Sequence, residues 1–161
     1  MSESVQGRPV SGGPESGVPE SRVRPPIHLW IVGVVALLWN LMGAFDYLAT
    51  QTRMESYMSQ FSDEQLAYFY GFPAWVVSCW AFAVWGGLAG AVGLLLRKRW
   101  AVWMFGISLV GMILTSIYNF VLSSGAEIMG TGAAIFTVVI AALAIFLLLY
   151  SRWLATKNVL T

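Results

Sequence analysis

Four apolar runs, 27–48, 73–96, 100–122 and 132–150, of 22, 24, 23 and 19 residues, dominate the chain. About 20 helical residues cross roughly 30 Å of hydrocarbon, so each run is long enough, or nearly so, to span a bilayer. A backbone in hydrocarbon must satisfy its own hydrogen bonds, and among open structures only the helix does so. The chain is therefore expected to be an all-α membrane protein, a four-helix transmembrane bundle. Composition supports this: 58% of the 161 residues are hydrophobic and 11% charged, against about 25% charged in soluble domains. The lipid bilayer is the partner such a surface requires.

Residues 1–26 hold five Ser, four Gly and five Pro without apolar periodicity, a composition expected of a disordered tail. The tail is polar and mixed in charge, unlike a secretory leader, so span one reads as an uncleaved anchor. Lys and Arg near span ends are retained in the cytoplasm. Arg8, Arg22 and Arg24 precede span one, Arg97, Lys98 and Arg99 fill the turn between spans two and three, and Arg152 and Lys157 follow span four. Eight of nine basic residues thus fall on one side; Arg53 alone lies opposite, with Asp46, Glu55, Asp63, Glu64 and Glu127. Both termini, including 156–161, are predicted to be cytoplasmic, with Arg97, Lys98 and Arg99 as topology anchors. In the outer connection 49–72, Ser62 and Gln65 match a capping box, predicting a short helix over 63–69 before Gly71 and Pro73.

Catalytic equipment is sparse. One cysteine and one histidine exclude an internal disulfide, a thiolate zinc site and most imidazole chemistry, so no metal or cofactor is implied. No nucleophile with its base and no carboxylate pair can be assembled, which argues against an enzyme. A net charge of +1 argues against nucleic acid as a partner.

Cys79, Ala83, Gly86, Gly90 and Gly93 recur at spacings of four and three, placing five small residues on one stripe of span two. Membrane helices associate where small residues let backbones approach, so this stripe is a packing seam, facing either another span of the chain or a second protomer. Asp46 lies roughly 27 Å along span one from His28 at 1.5 Å per residue, near the outer interface. It reads either as an interfacial carboxylate or, with Asn119, Ser78 and Trp75 at similar depth, as the lining of a shallow outward pocket that binds solute. Asn40 lies deeper, where an amide needs a partner: either Ser108 or Thr115 supplies a bond across helices, or the amide binds solute further along the path from the outward pocket. Trp30, Gly33, Phe45, Asp46 and Tyr47 match Trp103, Gly106, Tyr118, Asn119 and Phe120 at an offset of 73, a hint of a two-plus-two duplication.

The blocks Leu38-Trp39-Asn40-Leu41-Met42-Gly43-Ala44-Phe45-Asp46-Tyr47, Phe72-Pro73-Ala74-Trp75-Val76, Trp85-Gly86-Gly87 and Arg97-Lys98-Arg99-Trp100-Ala101-Val102 resemble a family of short bacterial four-span inner-membrane proteins commonly labelled "sugar transporter". The resemblance covers residues 28 to about 155. It implies a multi-pass protein of the cell inner membrane and a sugar-like small solute, and assigns no binding residues. Four close-packed spans leave no passage wide enough for a sugar, so a carrier of this size is expected to act as a homo-oligomer. The alternative class is a non-catalytic membrane subunit, or envelope-associated protein, that binds a larger protein partner.

Overall fold

The computed structural model describes residues 25–161; the tail expected over 1–26 lies outside the described residues up to residue 24. The described chain is helical and carries no strand among the described residues. Helix α1 (Ile27–Gln51) is followed by two short helices, α2 (Glu55–Met58) and α3 (Asp63–Tyr70), then α4 (Ala74–Leu95), α5 (Trp100–Ile117) and α6 (Gly125–Thr156). α1, α4, α5 with its π-helical extension Tyr118–Leu122, and α6 are each long and apolar enough to cross a membrane. Their outward faces, including Ile31, Val35, Leu38, Phe82, Trp103 and Val138, are exposed large hydrophobics, as lipid contact requires.

Local chemistry explains the boundaries. Pro26 and Pro73, which do not continue a preceding helix, stand as the N-caps of α1 and α4. α1, α4 and α6 end in the same way. The amide of the residue after each terminal left-handed position reaches back five residues: Met54 to Ala49, Lys98 to Gly93, Val159 to Leu154. The left-handed residues themselves are Arg53, Arg97 and Asn158 (φ 53°, 58° and 55°), so these are Schellman ends built without glycine. At α3, Ser62 Oγ accepts from the Gln65 amide and Gln65 Oε1 from the Ser62 amide, completing the capping box.

α6 begins seven residues before the apolar run at 132–150, because it is two helical pieces joined at Gly130 (φ 72°, ψ 179°). That backbone conformation is open essentially to glycine alone. The long apolar piece after the break is the span legible in the sequence.

α4 stands between α1 and α5. A methyl group placed on Gly86 would sit 3.1 Å from the Met104 carbonyl oxygen and from the Ser108 amide of α5; one on Gly111 would sit 2.8 Å from the Ala83 amide. The two helix backbones therefore touch where side chains are missing. Ser108 Oγ donates to the Ala83 carbonyl across the same contact at 2.5 Å. The larger buried core gathers at the basic end, where Leu29, Leu94, Ala101, Phe105 and Leu154 meet Val159 and Leu160. Residues 156–161 do not trail away. Turned by Asn158, the Thr161 amide donates to the Arg97 carbonyl (2.7 Å) and the Arg99 amide to the Thr161 carbonyl (3.1 Å), with Leu160 only 1% exposed.

Candidate functional site

The acidic, aromatic end of the bundle gathers most of the polar side chains singled out in the sequence. At the end of α1, Asp46 Oδ1 accepts from the Tyr57 hydroxyl of α2 at 2.6 Å. At the end of α5, Asn119 Oδ1 accepts from the Tyr68 hydroxyl of α3 at 2.8 Å. Both odd-numbered apolar runs thus end in an Asx side chain clasped by a tyrosine of the outer connection. Tyr68 also meets Ser123 Oγ at 2.7 Å, and Ser123 reaches the Tyr118 carbonyl at 2.8 Å. Asn119 sits in the π-helical turn Tyr118–Leu122, a distortion that recurs at functional sites.

Rings join the two clasps. Phe45 meets Tyr57 edge to face at 5.5 Å, and contacts continue through Phe61 and Phe69 to Phe72. Phe72 meets Tyr68 at 5.1 Å and Tyr118 at 5.6 Å, and Trp75 meets Tyr118 at 5.6 Å. Edge-to-face pairs contribute about 0.5–1.5 kcal/mol each beyond their buried area, so this girdle orders the outer connection. Arg53, the lone basic residue at this end, lies 4.3 Å above the Tyr70 ring. Burial, then the bond to Asp46, pushes the Tyr57 hydroxyl up to about 12, so it donates at neutral pH. Burial also raises Tyr68.

The expected pocket of Asp46, Asn119, Ser78 and Trp75 separates into different roles. Asp46 and Asn119 are held by different tyrosines of different helices. Ser78 is exposed and donates within α4 to the Ala74 carbonyl (2.8 Å), the default for a serine on a lipid-facing helix surface. Trp75 is 46% exposed beside Tyr118.

Asn40 also departs from expectation. It donates to the Ala36 carbonyl of its own helix at 2.8 Å, while Ser108 bonds Ala83 and Thr115 bonds Gly111. The reason is α4: a side chain on Gly87 would strike Asn40 Oδ1 on one side and come within 3.1 Å of Ser108 Oγ. Asn40 and Ser108 thus approach one glycine of α4, and each amide or hydroxyl finds a nearer carbonyl.

The stripe of Cys79, Ala83, Gly86, Gly90 and Gly93 faces α5 of the same chain, against Gly111, Ser108, Phe105 and Trp100. Gly111 is the reciprocal glycine that span-two spacing did not reveal; a lone glycine amid an apolar run was its only signal. Tyr57 was equally unmarked, since nothing local pairs it with Asp46 eleven residues earlier. Arg97, Lys98 and Arg99 form the turn on which the C-terminal segment pairs, a contact hinted at only by two apolar residues after Asn158.

This is a multi-pass membrane protein with a glycine-packed contact between α4 and α5 and a polar, aromatic cluster at its acidic end. The chain matches no known family model, no curated protein and no solved structure. Among the described residues no three His, Cys, Asp or Glu side chains converge on a metal-sized site.

Proposed function

We propose that this protein is a carrier of small, sugar-like solutes that works as an oligomer of at least two chains in a cell inner membrane. The observation that carries the reading is the pairing of two backbone irregularities: the π-helical turn at Asn119 and the break at Gly130. Irregular helical backbone leaves polar groups free to meet a solute, here at the mouth of the bundle rather than at mid-membrane. Here the two irregularities flank a cluster of Tyr68, Asn119 and Ser123, hydroxyl and amide groups suited to a polyol, with Phe72, Tyr118 and Trp75 supplying faces for sugar stacking. The family resemblance supports the same class.

The test is uptake of labelled mono- and disaccharides into liposomes holding the full chain, with and without a proton gradient. Saturable uptake, lost in Tyr68→Phe with Asn119→Ala while the helix content is kept, is the expected result. Uptake equal to the leak of empty liposomes, with the protein folded, refutes the reading. One observation favours the second class, a non-catalytic subunit: the contact of α4 with α5 is closed by backbone and small residues and offers no polar route. Stoichiometric co-purification of a larger partner, with no uptake, would select it.

A further inference from the structure

The basic end of the bundle carries Arg97, Lys98, Arg99, Arg152 and Lys157, while all five acidic side chains of the described residues, Asp46, Glu55, Asp63, Glu64 and Glu127, lie at the other end. We propose that the turn between α4 and α5 binds the phosphate of an anionic phospholipid in the leaflet at the basic end, with Arg97 as the residue that grips it. Retention of Lys and Arg in the cytoplasm explains why charge collects here, but it does not require any of these side chains to be held in place. Arg97 is held. Its left-handed backbone (φ 58°) is fixed by the Thr161 amide, which donates to its carbonyl at 2.7 Å, and the Arg99 amide closes the pairing on the Thr161 carbonyl. Its Nε donates to the carbonyl of buried Val159 at 3.4 Å. The guanidinium is thereby oriented by main chain, and among the described residues its Nη1 and Nη2 fork has no hydrogen-bond partner and is not sealed from solvent. Such a fork matches a phosphate with two parallel N–H donors, and fixing it beforehand lowers the entropy lost on binding.

The surroundings of the turn select a lipid over a phosphate in solution. α4 ends at Leu95 and α5 begins at Trp100, so residues 96–99 lie where the apolar spans give way to water. The three cations are flanked by exposed apolar side chains, Leu96 before them and Trp100 and Trp103 after. Tryptophan at this level marks the headgroup region. A ligand that meets both features is amphipathic, with a phosphate for Arg97, Lys98 and Arg99 and acyl chains for Leu96, Trp100 and Trp103. Charge then selects among lipids. Phosphatidylcholine brings its phosphate with a choline cation that the basic end repels, whereas phosphatidylglycerol brings the phosphate alone. A carboxylate at Thr161 would still leave four of the five positive charges at this end in excess.

The full chain in mild detergent is given equal amounts of palmitoyl-oleoyl phosphatidylglycerol and phosphatidylcholine and examined by native mass spectrometry. Wild type is expected to retain one phosphatidylglycerol per chain, preferred over phosphatidylcholine by about ten-fold. Arg97→Lys keeps the charge and loses the fork, and is expected to bring that preference down to about two-fold. Arg152→Gln lowers the net charge away from the turn and is expected to leave the preference within about two-fold of wild type. No preference in wild type, or Arg97→Lys equal to wild type, overturns the proposal. An equal fall in Arg97→Lys and Arg152→Gln also overturns it and assigns the binding to net charge alone. Displacement of the lipid by inorganic phosphate, beyond that by chloride at the same ionic strength, would place free phosphate in the turn and overturn the lipid. A phosphatidylglycerol bearing a diazirine on its headgroup gives a readout on wild type alone, whatever the variants do to folding. Adducts concentrated on residues 96–103 support the site, and adducts spread evenly to 152–157 overturn it.

Discussion

α4 and α6 invert the rule that governs soluble cores. In its most apolar stretch α4 has a mean hydropathy of 1.6 and is 33% buried, whereas α6 has 2.8 and is 6% buried. In water the more apolar helix would be the more buried. In a bilayer, hydrocarbon solvates Leu and Ile as well as a neighbouring helix does, so hydrophobicity decides membership of the membrane and not position in the bundle. Close packing requires missing side chains. α4 has them at Gly86, Gly87, Gly90 and Gly93, each within contact distance of a neighbouring helix; the glycines of α6 at Gly130 and Gly132 meet nothing within 4 Å. α6 is accordingly a strut, held at its two ends and flanked by open grooves.

The contrast breaks most visibly at Gly111. Leu at this position must displace the α4 backbone near Cys79 and Ala83, and is expected to destabilise the fold by about 3 kcal/mol or more. Thermal unfolding in mild detergent reads this, and an unchanged melting temperature would mean that α4 and α5 do not touch. Leu160→Asp places a carboxylate in the buried cluster at the basic end and is expected to cost about 2–3 kcal/mol, with faster proteolysis after Asn158. Intact resistance to protease would show that the C-terminal segment is not docked.

Gly130→Ala sharpens the reading of α6 through its sign. At a glycine-only conformation the change destabilises by about 1–3 kcal/mol. In a continuous helix the same change would stabilise by about 0.5–1 kcal/mol. A rise in melting temperature therefore excludes the break. Tyr57→Phe removes one hydrogen bond to Asp46 and is expected to cost about 1 kcal/mol. Because folding raises Tyr57 from 10.0 to about 12, its contribution is complete below pH 10 and is lost as pH rises through about 12. Ultraviolet titration should show fewer late-ionising tyrosines in Tyr57→Phe than in the wild type, Tyr68 remaining raised by burial; an unchanged late phase in Tyr57→Phe would remove the clasp.

Much of this architecture was legible before any coordinates. Run lengths marked the four spans, and Ser62 with Gln65 marked the start of α3 at the right residue, because capping is a local hydrogen-bond pattern. The small-residue stripe on α4 was legible as spacing. The outer site was legible only as residue types at similar depth: Asp46 and Asn119 stood out as polar groups in apolar runs, but their partners Tyr57 and Tyr68 are fixed by how α2 and α3 fold back. Asn40 was misassigned across helices because spacing along one helix does not reveal a glycine of α4 lying between two others.

The sequence alone determined that this chain lives in a bilayer, that it crosses four times, and that its basic residues collect at one end. These follow from transfer free energy and charge, which sum along the chain without reference to partners. Only the tertiary structure decided that the glycine stripe meets α5 of the same chain and that the Asx residues serve two tyrosine clasps. It alone decided, too, that α6 breaks at Gly130 and that Val159 and Leu160 close the basic end. The physical reason is that hydrocarbon exerts little preference among apolar faces, so which faces meet depends on shape and hydrogen-bond geometry brought together from distant parts of the chain.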